Sequence, residues 1–168
     1  MTNYRDSKGR TISLKKRIGG SGEGDVHRTD RTGYLAKIYK KPTSQRTKKL
    51  GFMVANPPKN PTAKQNHVSI AWPTELIYDG GTCVGFLMPS IENAKELNEV
   101  YSTQRRNQLL PTFNWYYLHV TAQNIALIVN SLHTNNYIIG DMKPQNLMVN
   151  TNGMVSIIDT DSFQVTDS

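Results

Sequence analysis

Asp141, Lys143 and Asn146, followed by Asp159 thirteen residues after the asparagine, set a carboxylate, an amine, an amide and a second carboxylate in fixed order. Phosphoryl transfer asks for such a set: a base for an attacking hydroxyl, a cation for phosphate oxygens, and two oxygen ligands for a divalent metal. A polar β-turn whose Asp and Asn cap local backbone would account for one or two of these residues. It does not account for all four in this order.

The flanking sequence supplies elements to position them. Trp115, Leu118, Ala122, Ile125, Val129 and Leu132 recur at three- and four-residue steps, which predicts a helix from about Asn114 to His133 with those residues on its buried face. Asn135-Asn136 stops it. The polar loop at Asp141 follows, then a strand at Leu147–Val149, a turn at Asn150-Thr151-Asn152-Gly153 and a strand from Val155 to Ile158. That hairpin brings Asn146 and Asp159 to neighbouring strand ends.

Upstream, Thr11–Leu14 and Tyr34–Tyr39 alternate at period two and predict a small antiparallel sheet. A basic stretch from Ser44 to Val54 reads as a weak helix. Asn56-Pro57-Pro58-Lys59-Asn60-Pro61 reads as a loop, because its prolines cannot donate to a ladder. Glu75–Tyr78 and Thr82–Met88 flank Asp79-Gly80-Gly81 as a hairpin.

Between the first strands lies Ile18-Gly19-Gly20-Ser21-Gly22-Glu23-Gly24-Asp25-Val26. Glycines at this density let backbone N–H groups approach phosphate oxygens without side-chain obstruction, although an ordinary flexible hairpin has the same composition. A phosphate-binding G-x-x-x-x-G-K loop is excluded, since Asp25 stands where the lysine is needed.

A chain of 168 residues with 37% apolar content buries one core, divided at most between two small lobes. No apolar run approaches the ~20 residues that span a bilayer, and the opening residues lack a signal peptide's apolar centre, so a cytoplasmic protein without membrane contact is expected. Cys83 has no partner cysteine and reads as core. Residues 1–50 carry 14 Lys/Arg against 4 Asp/Glu, so the net charge of +7 is concentrated in the first third. Such a face attracts nucleotide phosphates, acidic proteins or nucleic acid. Nucleic acid ranks last, because only Tyr39 interrupts the Lys37–Lys49 basic run with an aromatic ring.

With these residues in view, the chain resembles the protein kinase family. Asp141, Lys143, Pro144 and Asn146 match the catalytic loop H-R-D-x-K-P-x-N, with Ile139-Gly140 in place of His-Arg, and Asp159-Thr160-Asp161 stands where D-F-G would. Ile70-Ala71-Trp72-Pro73, Gly85-Phe86-Leu87-Met88-Pro89 and Ile158–Gln164 are similar to a bacterial branch of kinase-like proteins often joined to a helix-hairpin-helix region.

The resemblance implies an α+β, two-lobe kinase-like fold: a complete β-rich nucleotide-binding lobe over residues 1–89 and an incomplete helical lobe over 90–168. It implies ATP and Mg²⁺ as cofactors, with Asp141 and Lys143 catalytic and Asn146 and Asp159 holding the metal. Gly19, Gly20, Ser21, Gly22, Gly24 and Val26 would cover the nucleotide, Lys37 would hold its α- and β-phosphates, and the Pro89 carbonyl and Ile91 N–H would face adenine. The implied activity is Ser/Thr-type transfer from Mg-ATP to a hydroxyl; the protein substrate is not legible. Thr47-Lys48-Lys49-Leu50 stands where kinases carry the Glu that pairs with the strand lysine. That departure favours the alternative, a pseudokinase or binding module without turnover.

Overall fold

A computed structural model describes residues 4–165, which divide into two compact units: residues 4–57 with 72–90, and residues 58–71 with 91–165.

The first unit is a seven-stranded antiparallel sheet and one helix. In chain order it contains β1 (Tyr4–Asp6), β2 (Thr11–Ile12), β3 (Leu14–Gly20), β4 (Gly24–Thr29), β5 (Tyr34–Tyr39), α1 (Ser44–Ala55), β6 (Glu75–Asp79) and β7 (Thr82–Pro89). The sheet order is β2-β1-β6-β7-β5-β4-β3. β5 therefore has a neighbour on each side, pairing Lys37 with Val26 of β4 and with Phe86 of β7. Side chains alternate across a strand. Ala36 joins Ile12, Ile77 and Leu87 in a buried cluster on one face, while Lys37 and Tyr39 take the other. At Gly85 the β5 backbone comes so close that an added Cβ would lie 2.0 Å from the Lys37 carbonyl oxygen, so only glycine fits.

β1 has no clear sequence signal, yet it pairs with β2, which falls within the predicted Thr11–Leu14 strand, and extends the sheet through β6, with Asp6 opposite Ile77. Asp6 is what fastens it. Its carboxylate is 3% exposed and accepts from the backbone N–H groups of Lys8 and Arg10, both at 2.9 Å, from Arg10 Nε at 2.7 Å and from the Arg31 guanidinium. Arg31 also donates to Glu75 at 2.8 Å. α1 begins at the Thr43 cap, whose side chain accepts from Arg46 N, and buries Leu50 and Met53. Trp72 Nε1 donates to the Met53 carbonyl at 2.8 Å.

The second unit holds β8 (Ala94–Glu96), α2 (Leu97–Tyr101), α3 (Thr103–Leu109), α4 (Trp115–Thr134), β9 (Tyr137–Ile138), β10 (Leu147–Asn150), β11 (Val155–Ile157) and β12 (Gln164–Val165). These strands form a three-stranded sheet, β11-β10-β8, and a β12-β9 pair. Residues 58–71 pack here. Ile70 bridges Ile157 in parallel, His67 Nε2 lies 2.9 Å from the Val155 carbonyl, and Ser131 of α4 donates to the Lys59 carbonyl at 2.5 Å.

The buried face of α4 differs from the one its apolar period predicts. Thr121, Asn124, Ile128 and Leu132 are buried, whereas Trp115 is 76% exposed and Ala122 is exposed. Burying polar groups is tolerated because each is satisfied within the helix: Thr121 Oγ1 donates to the Tyr117 carbonyl and Asn124 Nδ2 to the Val120 carbonyl, both at 2.8 Å. Only Leu132 of the predicted stripe is fully buried.

Candidate active site

In the first unit the glycine-dense segment runs from the end of β3, which holds Gly19 and Gly20, through a turn with Ser21 and Gly22 to Gly24, the first residue of β4. Ser21 N–H closes it by donating to the Gly24 carbonyl at 2.8 Å. The turn is held from outside as well. Lys40 Nζ donates to the Ser21 carbonyl at 2.9 Å and Arg46 Nη2 to Glu23 Oε1 at 2.9 Å. Lys40, which its sequence context presents as a solvated charge, is thus a contact of the loop. The Arg46 guanidinium also lies 4.8 Å from the Tyr39 ring centre. Beside the loop, the Arg17 guanidinium at 2.8 Å holds the Asp25 carboxyl below the usual carboxylate range.

Lys37 is 5% exposed and its Nζ lies 6.0 Å from the Tyr39 ring centre. Its strand lies inside the sheet, so Lys37 is not a charge at a sheet edge. Val26 sits opposite it in register. α1 bears no acidic residue, so the helix offers Lys37 no carboxylate. Pro89 ends β7 opposite Tyr34, while Ile91 belongs to the second unit.

The second unit brings Asp141, Lys143, Asn146 and Asp159 into one stretch of structure. Asp141 and Lys143 follow β9 and are about half exposed, and Lys143 Nζ donates to Asp141 Oδ2 at 2.5 Å. That hydrogen bond to the Asp141 carboxylate pushes the Lys143 ammonium pKa up, with the Asp159 charge adding to it. Pro144 opens a one-turn 3-10 helix, Pro144–Asn146, at the end of which Asn146 is buried. Asn146 Nδ2 donates to the Asp141 carbonyl at 3.0 Å and approaches Asp141 Oδ2 at 3.4 Å, leaving the amide oxygen as its metal-competent atom. The Asn146 carbonyl accepts from Ile158 N–H at 2.9 Å, which carries the β10–β11 ladder to the residue before Asp159.

Asp159 has φ 59° and ψ 38°, a left-handed backbone uncommon for a residue other than glycine. A 3-10 turn, Thr160–Ser162, follows directly. Among the described residues no three His, Cys, Asp or Glu side chains form a metal cluster. One amide and one carboxylate nevertheless suit Mg²⁺, which takes few protein ligands and fills its octahedron with water and phosphate oxygens.

The chain is 32% identical over 164 residues to protein kinase YegI of Escherichia coli strain K12, and 31% identical over 162 residues to its counterpart in strain O157:H7. The chain belongs to a bacterial protein-kinase-like family. These alignments take in 95% and 94% of this protein-kinase-like chain but only 24% of each relative's length. No family model matches it. Its fold is that of kinase domains. It superposes on the ROP18 kinase domain in complex with AMP-PNP and sucrose with a TM-score of 0.63 at 14% identity, covering 99% of this chain and 57% of that one. A Toxoplasma gondii rhoptry antigen kinase domain gives a TM-score of 0.59 at 16% identity, covering 99% and 55%. No helix among the described residues is long and apolar enough to cross a membrane.

The order of Asp141, Lys143 and Asn146 in the sequence marks them as candidates. No spacing in the sequence marks the contacts of Arg46 with Glu23 or of Thr160 with Ala71.

Proposed function

We propose that this chain is the nucleotide- and metal-handling part of a phosphotransferase that moves the γ-phosphoryl group of Mg-ATP to a Ser/Thr-type hydroxyl. The observation that carries the reading is the hydrogen-bonded continuity from Asp141 through Asn146 to Ile158, which ties a candidate base and two candidate metal ligands to one rigid hairpin. Asp141 orients the acceptor hydroxyl and takes its proton. Lys143, kept cationic by its neighbours, stabilises charge on the transferring group. Asn146 and Asp159 would hold Mg²⁺, which when bound offsets the negative charge of the phosphates. Lys37 holds the α- and β-phosphates while the Gly19–Gly24 turn covers them, and the Pro89 carbonyl and Ile91 N–H meet adenine. The kinase-domain neighbour bound to AMP-PNP supports a nucleotide ligand.

Asp159→Ala in the whole protein tests this. Radiolabel transfer from γ-labelled ATP is expected to vanish, and unchanged transfer would remove the metal assignment. A second reading, a nucleotide-binding module without turnover, is favoured by the absence of any acidic residue on α1. It predicts a thermal shift with Mg-ATP but no label transfer from the wild-type protein.

A further inference from the structure

Two residues that depart from the kinase pattern, Gly140 beside the candidate base and Thr160 beside the candidate metal ligand, meet the same short turn. Thr160 is 1% exposed, and a hydroxyl so buried needs a partner. Its Oγ1 donates to the Ala71 carbonyl at 3.0 Å. The backbone of 69–71 is itself stapled to β11, with Ala71 N–H donating to the Ile157 carbonyl at 2.9 Å and Ile157 N–H to the Ser69 carbonyl at 2.8 Å. These bonds grip the chain on both sides of Ile158-Asp159.

On the far side, Ser162 Oγ donates to the Asp159 carbonyl at 2.8 Å, and Phe163, 1% exposed, donates its N–H to the Thr160 carbonyl at 3.1 Å. The turn then closes on the catalytic loop, where β12 pairs Gln164 with Ile138. A Cβ on residue 140 would lie 2.6 Å from the Ser162 carbonyl oxygen, so glycine is what allows this closure.

We propose that Thr160 and Gly140 are positioning residues that preset Asp159 for a metal-bound nucleotide: Thr160 anchors it through Ala71, and Gly140 admits the turn that holds its left-handed backbone. This rests on the metal role proposed for Asp159. The ordering of Asp159 is then a property of the fold and needs no charge at position 140.

The test is ADP affinity of the full-length protein by calorimetry, with and without Mg²⁺, for wild type, Thr160→Val, Thr160→Ser and Gly140→Ala. Mg²⁺ should tighten binding to wild type and Thr160→Ser. In Thr160→Val and Gly140→Ala that enhancement should fall about 10- to 100-fold, as for other groups that orient a metal ligand. Affinity without Mg²⁺ should stay within about twofold of wild type, a readout that an unfolded variant cannot give. Because valine matches threonine in shape, rescue by serine isolates the hydroxyl. Full Mg²⁺ enhancement in Thr160→Val would overturn the anchoring and leave the metal role intact. A wild type that binds ADP equally with and without Mg²⁺ would overturn the metal role and the proposal together.

Discussion

At the scale of single residues, the Asp141–Lys143 pair separates function from stability. Both side chains are about half exposed, and an ion pair in that setting adds little to folding. With the base role proposed for Asp141, Asp141→Asn is expected to leave the melting temperature nearly unchanged while lowering phosphoryl transfer by about 10²- to 10⁴-fold, the usual contribution of a general base. A label-transfer assay beside a thermal melt checks both halves. The candidate site is legible in the sequence because its residues lie within a few neighbouring positions and one hairpin. Lys37 was legible as a lysine on a strand, but nothing in Tyr34–Tyr39 says whether that strand lies inside the sheet or at its edge. Pairing with both β4 and β7 decides that, and it depends on residues far away in sequence.

Among the elements, α4 shows where periodicity stops being informative. Its apolar positions fixed the helix to within a residue at each end, running from Trp115 to Thr134. They misjudged the inner face, because Thr121 and Asn124 satisfy their polar groups on their own helix and can be buried cheaply. Leu132→Ala should cost about 2–5 kcal/mol, as for other fully buried leucines. Trp115→Ala should change stability by no more than about 0.5 kcal/mol. Urea unfolding of the two variants distinguishes the observed face from the one that apolar spacing suggests. β1 escaped sequence reading for a different reason: it is short, polar and held by Asp6 rather than by an alternating apolar pattern. β5 alternates at period two, and β6 and β7 flank the Asp79-Gly80-Gly81 turn, so local signals suffice for these strands; β3 and β4, on either side of the glycine-dense turn, carry no such signal.

For the molecule as a whole, acid sensitivity follows from Asp6. Burial alone would push its pKa up, but bonds from Arg31, Arg10 and two backbone N–H groups outweigh that and hold it well below the ordinary carboxylate value. A depressed native pKa adds stability that is complete above the unfolded carboxyl value near about 4 and is lost as pH falls toward the lower native value. Asp6→Asn should destabilise the protein by about 1–3 kcal/mol at neutral pH, because Arg10 and Arg31 lose a charged acceptor. It should also flatten the fall of melting temperature below about pH 4, which melts at several pH values would reveal. The course of the chain has a separate practical result. Residues 58–71 leave the first unit to pack with later sequence, and the chain then returns at Trp72. Ser69, Ile70 and Ala71 are buried there, against backbone partners near Ile157. An expression fragment stopped near Ser90 would keep this excursion but discard what covers it, baring apolar side chains and unmatched peptide groups, so clumping is the expected fate of the isolated front half.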